Sequence, residues 1–334
     1  MRYFFAAIAF AALFIAWWAF NGLGPAPLLV YCAHDSIYSE KILRDFEKRT
    51  GIAVAIRFDT EATKSLGLVE LLVAEKDAPR CDVFWNNELL GTMDLAERGV
   101  LLPYRGEGFT RTPAKYRATD GTWTGFAARM RVIIFNTSKI TAPQIPALLE
   151  GDLHRVAIAK PLFGTTLTHY SALWQTLGPD GLKAWHRNTR ARGILELNGN
   201  AGVKDAVGNG TCDLGYSDTD DYFEAKDAGK PVAAVPVRLA KNETVCIPNT
   251  VSIIRGTRRE PDARKLIEFL LSEETEIALA RSKSRQIPLR PVPADQLPAE
   301  VRELTAWAKD GIDLTQLGPA RAACLAWLKS EYVK

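Results

Sequence analysis

The sequence predicts an α/β fold: two parallel-rich sheets flanked by helices, in two lobes joined by two extended crossings. Three observations predict it. Apolar runs of strand length alternate with amphipathic helical stretches, the alternation occurs twice, and long extended runs separate the two series. Strands alternating with helical crossovers build a parallel sheet covered by helices. At 334 residues, the chain is long enough for two domains and a well-buried core.

The first 26 residues stand apart. Arg2 precedes an apolar stretch from Tyr3 to Phe20, followed by a Gly/Pro stretch. This reads as an export signal, with an N-terminal membrane anchor as the alternative because the stretch approaches bilayer-spanning length. The working part is therefore expected outside the cytoplasm, in the periplasm. The next elements are a strand at "LLVYCA" (28–33) and a helix capped by Asp35, with Ile42, Leu43 and Phe46 on one face and Gly51 as its stop. The strand "IAVAIRF" (52–58) precedes a helix that turns Leu66, Val69, Leu72 and Val73 inward and closes at Pro79. "CDVFW" (81–85) and a short helix ending at Gly99 complete the first series, and "WTGFAARMRVIIFN" (123–136) is long enough to leave one lobe for the other.

The second series runs through "RVAIAKP", two helices in 164–193, "GILELN", a short helix, "CDLGYSD" and "PVAAVPV". "VCIPNTVSIIRGT" (245–257) is the return crossing, and 260–281 is a strongly amphipathic helix. The expected division is 27–126 with 248–290 as the first lobe, 127–247 as the second, and 291–334 as C-terminal helices packed on both.

Composition excludes several functions. A net charge of +3 with no basic run argues against nucleic acid. Five cysteines, widely spaced and without a CxxC pair, argue against a metal cage or a thioredoxin site, although Cys212 and Cys246 lie beside strands and are placed to pair. No GxSxG, HExxH, P-loop or dinucleotide fingerprint is present, so neither an enzyme nor a cofactor is expected. A glycosidase-like use of Glu61 and Glu88, and a tethered sensor, are the rival classes.

Three polar stretches end strands. In "VFWNNEL", Asn86, Asn87 and Glu88 close a buried strand; they are either a turn and helix cap or a ligand site at the strand's carboxyl end. "FGTTLTH" opens a helix with Gly164, Thr165 and Thr166, offering N–H groups and hydroxyls to an anion or making an ordinary cap. "YSDTDDYF" places Asp218, Asp220 and Asp221 within four positions, where they either solvate a loop or face a cation, an ammonium group or hydroxyls.

These stretches, with "VYCAHDSIYSEKILRDFEKRTGIAV", "WTGFAARMRVIIFN", "GYSDTDDYFEAKDAGKPV" and "IPNTVSII", occur in an order that resembles the extracellular solute-binding proteins of ABC importers. The resemblance is to the branch covering ferric iron, thiamine and phosphonate or sugar-phosphate binders, and it covers nearly the whole chain beyond residue 26. It implies a type II periplasmic-binding-protein clamshell, most simply a monomer, that presents its solute to a membrane permease. It also implies ligand-contacting positions at His34, Asp35, Asp59, Thr60, Glu61, Asn86, Asn87 and Glu88 in the first lobe. In the second they are Gly164, Thr165, Thr166, Asn198, Tyr216, Asp218 and Asp220. An anion nest facing carboxylates suits a phosphorylated or carboxylated amine or polyol. The alternative is ferric iron held by His34, Glu61, Glu88 and Tyr216. Many iron-binding relatives use neighbouring tyrosines, whereas here Tyr216 and Tyr222 are separated.

Overall fold

A computed structural model describes residues 26–59 and 66–332. The expectations for residues 1–25, and for Thr60 and Glu61, lie outside these described residues.

Strands β1 (Leu28–Cys32), β2 (Val54–Phe58) and β3 (Val83–Asn86) are parallel, with Val30 beside both Ile56 and Val83. Helix α1 (Ser36–Thr50) makes the first crossover, burying Ile42, Leu43 and Phe46 and ending at Gly51, whose φ of 72° needs no side chain to be accommodated. Helix α2 (Leu66–Ala74) makes the second, burying Leu68, Val69 and Leu72. Helix α3 (Leu90–Glu97) follows β3 and leads to the short β4 (Leu101–Leu102), after which come α4 (Glu107–Arg111) and the long β5 (Thr124–Asn136).

β5 is the crossing, and every residue in it is buried. Its first half pairs with the return strand β10 (Cys246–Ile254), which also pairs antiparallel with β3 and β4. Its second half pairs with β8 (Leu214–Asp218) and β9 (Val232–Pro236). β6 (Val156–Ala159) and β7 (Leu195–Leu197) extend the second half in parallel, so the strand order is β2-β1-β3-β10-β5-β8-β6-β7. Both crossings are distorted at one level: Ala127 has φ +36°, and β10 shifts register between Pro248 and Asn249. Buried Glu276 accepts the Ala127 and Leu289 N–H groups and pairs with Arg290, while Asn249 bonds Ala127 O and Gln286.

In the second half, α5 (Ile145–Glu150) precedes β6. α6 (Gly164–Ala191) is broken by non-helical Gly178 before Pro179, giving the two helical stretches expected there. α7 (Asn200–Gly208) and α8 (Thr219–Asp227) follow β7 and β8. The chain ends in α9 (Glu260–Leu270), α10 (Glu273–Arg281), α11 (Ala299–Ala308) and α12 (Gly318–Tyr332). α12 packs on α6, with the Trp174 and Trp327 rings 5.9 Å apart, and reaches α3 through Arg321, 3.7 Å from Asp94. No helix among the described residues is long and apolar enough to cross a membrane.

The alternative of a Cys212–Cys246 pair is not realised. Cys212 and Cys246 are unpaired thiols, as are Cys32, Cys81 and Cys324. Cys212 packs with Ile134, Val203 and Val207, and Cys246 with Tyr116, Met130 and Ile287, so different hydrophobic clusters hold them apart.

Candidate functional site

Three helices of the second lobe begin at one place. β6, β7 and β8 each end there, and α6, α7 and α8 start from Phe163, Gly199 and Asp218, all three with extended backbone. Their N-termini bring backbone N–H groups and the positive ends of three dipoles to one open cleft. Asp35 and Asn87 line it from the first lobe, and Lys160, Gly164, Thr165, Thr166, Asn198, Asn200, Asp218, Asp220 and Asp221 from the second, with Arg129 contributed by the crossing strand β5.

Arg129 and Arg131 are the residues that sequence reading passed over. Two positions apart on a strand, they point the same way, and both are buried. Arg131 donates to Asp218 Oδ1 at 2.7 Å, while Asp218 Oδ2 accepts from the Thr165 hydroxyl at 2.5 Å and from Asn200 Nδ2 at 2.9 Å. Thr166 Oγ1 donates to Asn200 Oδ1 at 3.2 Å. The threonine hydroxyls therefore bond within the lobe, while Gly164, with φ +58° and open space around it, keeps the helix mouth clear.

Arg129 donates from Nη1 to Asp220 at 2.8 Å and from Nη2 to the Asn87 carbonyl at 2.7 Å, touching both lobes. Burial by itself lowers its pKa, but the Asp220, Asp218 and Asp35 carboxylates outweigh that and raise it. Oxygen atoms of Asp218, Asp220 and Asp221 all lie within 4.8 Å of one another, close enough to share a cation. Burial and the neighbouring carboxylates push Asp221 up to about 8, so it is protonated at neutral pH and holds the Ser217 hydroxyl at 2.8 Å. Asp220 is also raised, by burial first, against the pull of Arg129.

The first lobe places its polar residues differently. Glu88 accepts the Leu90 and Gly91 N–H groups at 2.6 and 2.7 Å and caps α3; Asn86 donates to Glu88 and to Thr92, which bonds Thr250 on β10. "VFWNNEL" ends in polar residues because they stitch a helix mouth to the neighbouring strand. His34 is buried against Trp85, its ring 5.4 Å away, with Nε2 2.5 Å from Gln286 Nε2. Asp59 accepts the Leu68 N–H at 3.3 Å, at the mouth of α2. Tyr216 lies in the apolar cluster of Ile133, Leu167 and Tyr170, and burial pushes its phenol up to about 12. Of the four residues named for an iron site, His34, Glu88 and Tyr216 are not brought together in the cleft lining, and Glu61 lies outside the described residues.

Two arginines at alternate positions of an otherwise apolar strand are the signal that would have found this site. A buried charge is costly unless paired, so charges inside a buried strand require carboxylate partners nearby.

Residues 28–282 match the family described as bacterial extracellular solute-binding protein. Iron uptake protein A1 of Synechocystis sp. is 26% identical over 294 residues, covering 83% of this chain and 79% of that protein. The iron-bound HitA structure from Pseudomonas aeruginosa superposes with a TM-score of 0.79 at 21% identity, over 92% of this chain and all of HitA. The periplasmic binding protein AfuA from Actinobacillus pleuropneumoniae, with fructose-6-phosphate bound, does so with a TM-score of 0.71 at 17% identity, over 91% of this chain and 98% of AfuA.

Proposed function

This chain belongs to the bacterial extracellular solute-binding proteins, and on that premise we propose that it captures ferric iron together with a small oxyanion for a membrane importer. The lobes are taken as 27–126 with 248–290, and 127–247, with the cleft between them. One observation carries the reading: a carboxylate cluster that can share a cation stands directly beside three helix N-termini and Lys160. A bare cation would face the dipoles and the arginines. A bare anion would face Asp35, Asp218 and Asp220. A metal paired with an anion satisfies both halves, and ferric iron is a hard ion that favours anionic oxygen.

Asp218 is already committed to Arg131, Thr165 and Asn200, so Asp220 and Asp221 are the carboxylates that would turn to the metal. The helix mouths and Lys160 would take the anion. The names of the iron-uptake relatives support the cargo, although Tyr216 and Tyr222 are separated here rather than adjacent as in many iron binders. The protein acts by capture without chemistry: part of the binding energy favours the closed clamshell, as a monomer, which then docks on the permease.

The test is native mass spectrometry of protein exported with its own leader and purified without refolding, before and after loading with ferric citrate. One iron per chain, lost in Asp220→Asn, is the expected result. An organic adduct of a few hundred daltons that excludes iron would overturn it and establish the second reading, a phosphorylated or carboxylated amine or polyol. That reading is favoured by Arg129 and Arg131, which already supply the carboxylates with cations, and by the sugar-phosphate-bound AfuA fold.

A further inference from the structure

Arg129 lies where a cargo cation would lie. Its guanidinium is 2.8 Å from Asp220 and its Nε 3.6 Å from Asp218, two of the three carboxylates that can share a metal, and the side chain is 7% exposed. Its Nε is buried and makes no hydrogen bond among the described residues, so the group retains a donor for a further acceptor. Arg131 is fully buried two residues away and holds the far side of Asp218. A multivalent ion entering among these carboxylates with Arg129 in place would bring like charges together at close range in a poorly screened site.

We infer that Arg129 is the cleft's internal counter-cation: it stands in for the cargo's charge in the solute-free protein, and must exchange Asp220 for the cargo's anion when the metal arrives. The inference rests on the reading that the cargo pairs a cation with an anion. The exchange is a change of partners for one guanidinium, with no bond made or broken. A planar guanidinium is suited to it, because two parallel N–H groups can pass from a carboxylate to an oxyanion. The consequence is selectivity. Without an anion to receive it, Arg129 competes with the metal and holds affinity down. With one, the competition is lifted. A lone cation is therefore a poor ligand, and a metal–oxyanion pair a good one.

The experiment measures how ferric iron partitions between the protein and nitrilotriacetate, with and without added inorganic phosphate, by iron content after gel filtration. In the unaltered protein, phosphate increases retention. In Arg129→Met, retention without phosphate rises about tenfold and the phosphate effect shrinks by a similar factor, since the competing charge is gone. Arg129→Lys keeps the charge and the phosphate dependence, which guards against a mere folding defect in the methionine variant. Lower retention in Arg129→Met, with the phosphate effect intact, would overturn the inference.

A second readout does not depend on cargo. Titration of the Asp220 carboxyl by carbon-detected NMR in solute-free protein should move upward in Arg129→Met and little in Arg129→Lys. An unmoved Asp220 refutes the counter-cation role whatever the cargo is. If neither protein retains iron, the iron reading fails and the exchange of partners falls with it, whereas iron retained without any dependence on Arg129 overturns this inference alone.

Discussion

On the first lobe's side of the cleft, Asn86, Glu88 and His34 direct their polar groups into the protein, whereas on the second Asn200, Asp220 and Asp221 line the opening. Both lips are ends of parallel strands, and both are rich in amides and carboxylates. What separates them is where helix capping is done. α3 is capped by the Glu88 side chain, which satisfies two N–H groups that α3 would otherwise offer. α6, α7 and α8 begin from Phe163, Gly199 and Asp218, none of which caps its own helix with a side-chain bond. A lip that caps its own helices uses its polar groups for stability; a lip that leaves helix mouths open leaves their N–H groups facing the cleft.

The comparison breaks most sharply if the second lip also proves structural in part, and Asp218 is where that is expected. Asp218→Ala leaves fully buried Arg131 without its carboxylate, which should cost about 3–5 kcal/mol and lower the urea midpoint accordingly. A loss below 1 kcal/mol would mean that water or Asp220 replaces the partner.

Next is the pH response of Asp221. Its carboxyl is raised to about 8, so between about pH 4 and 8 the folded protein holds a proton that the unfolded chain has released. Stability from this group is therefore highest at low pH and falls as pH rises through that window, by up to about 1.4 kcal/mol per pH unit, then levels off. Asp221→Asn should flatten the fall, as read by urea unfolding at several pH values. Iron retention should move the other way, increasing with pH, because the metal must displace the same proton. A pH-independent iron affinity would remove Asp221 from the site.

Glu88→Ala tests the first lip. Losing the α3 cap should cost about 1–2 kcal/mol while solute affinity stays within about twofold. A tenfold loss of affinity would show that closure brings this lip to the solute. The smallest effect belongs to Tyr216→Phe. Its ring is held in an apolar cluster, so stability should change by less than about 1 kcal/mol, and calorimetry should find affinity unchanged. A large loss of affinity would return the phenol to the list of ligands.

Local sequence showed the strand and helix order, except that 260–281 is two helices, α9 and α10, rather than one; it showed the Gly51 stop, the division of α6 and the crossing strands because each depends on side-chain period or on the backbone freedom of a few residues. It showed that Asn86 and Asp218 end strands and that Gly164 opens a helix. It did not show Arg129 and Arg131, which lie inside an apolar run where pattern reading attends to Val132, Ile133 and Ile134. Nor did it show that Cys212 and Cys246 lie in separate clusters, since spacing along the chain says nothing of which apolar cluster receives a thiol.

The sequence by itself determined the alternation of strands and helices, and so the class of fold and the strand ends at which a solute site can form, because periodicity and turn chemistry act between near neighbours. Only the tertiary structure decided which polar strand ends face the cleft and which cap a helix. That depends on pairing across long separations, Arg131 with Asp218 and Arg129 with both Asn87 and Asp220. Buried charges are stable only where those distant partners meet.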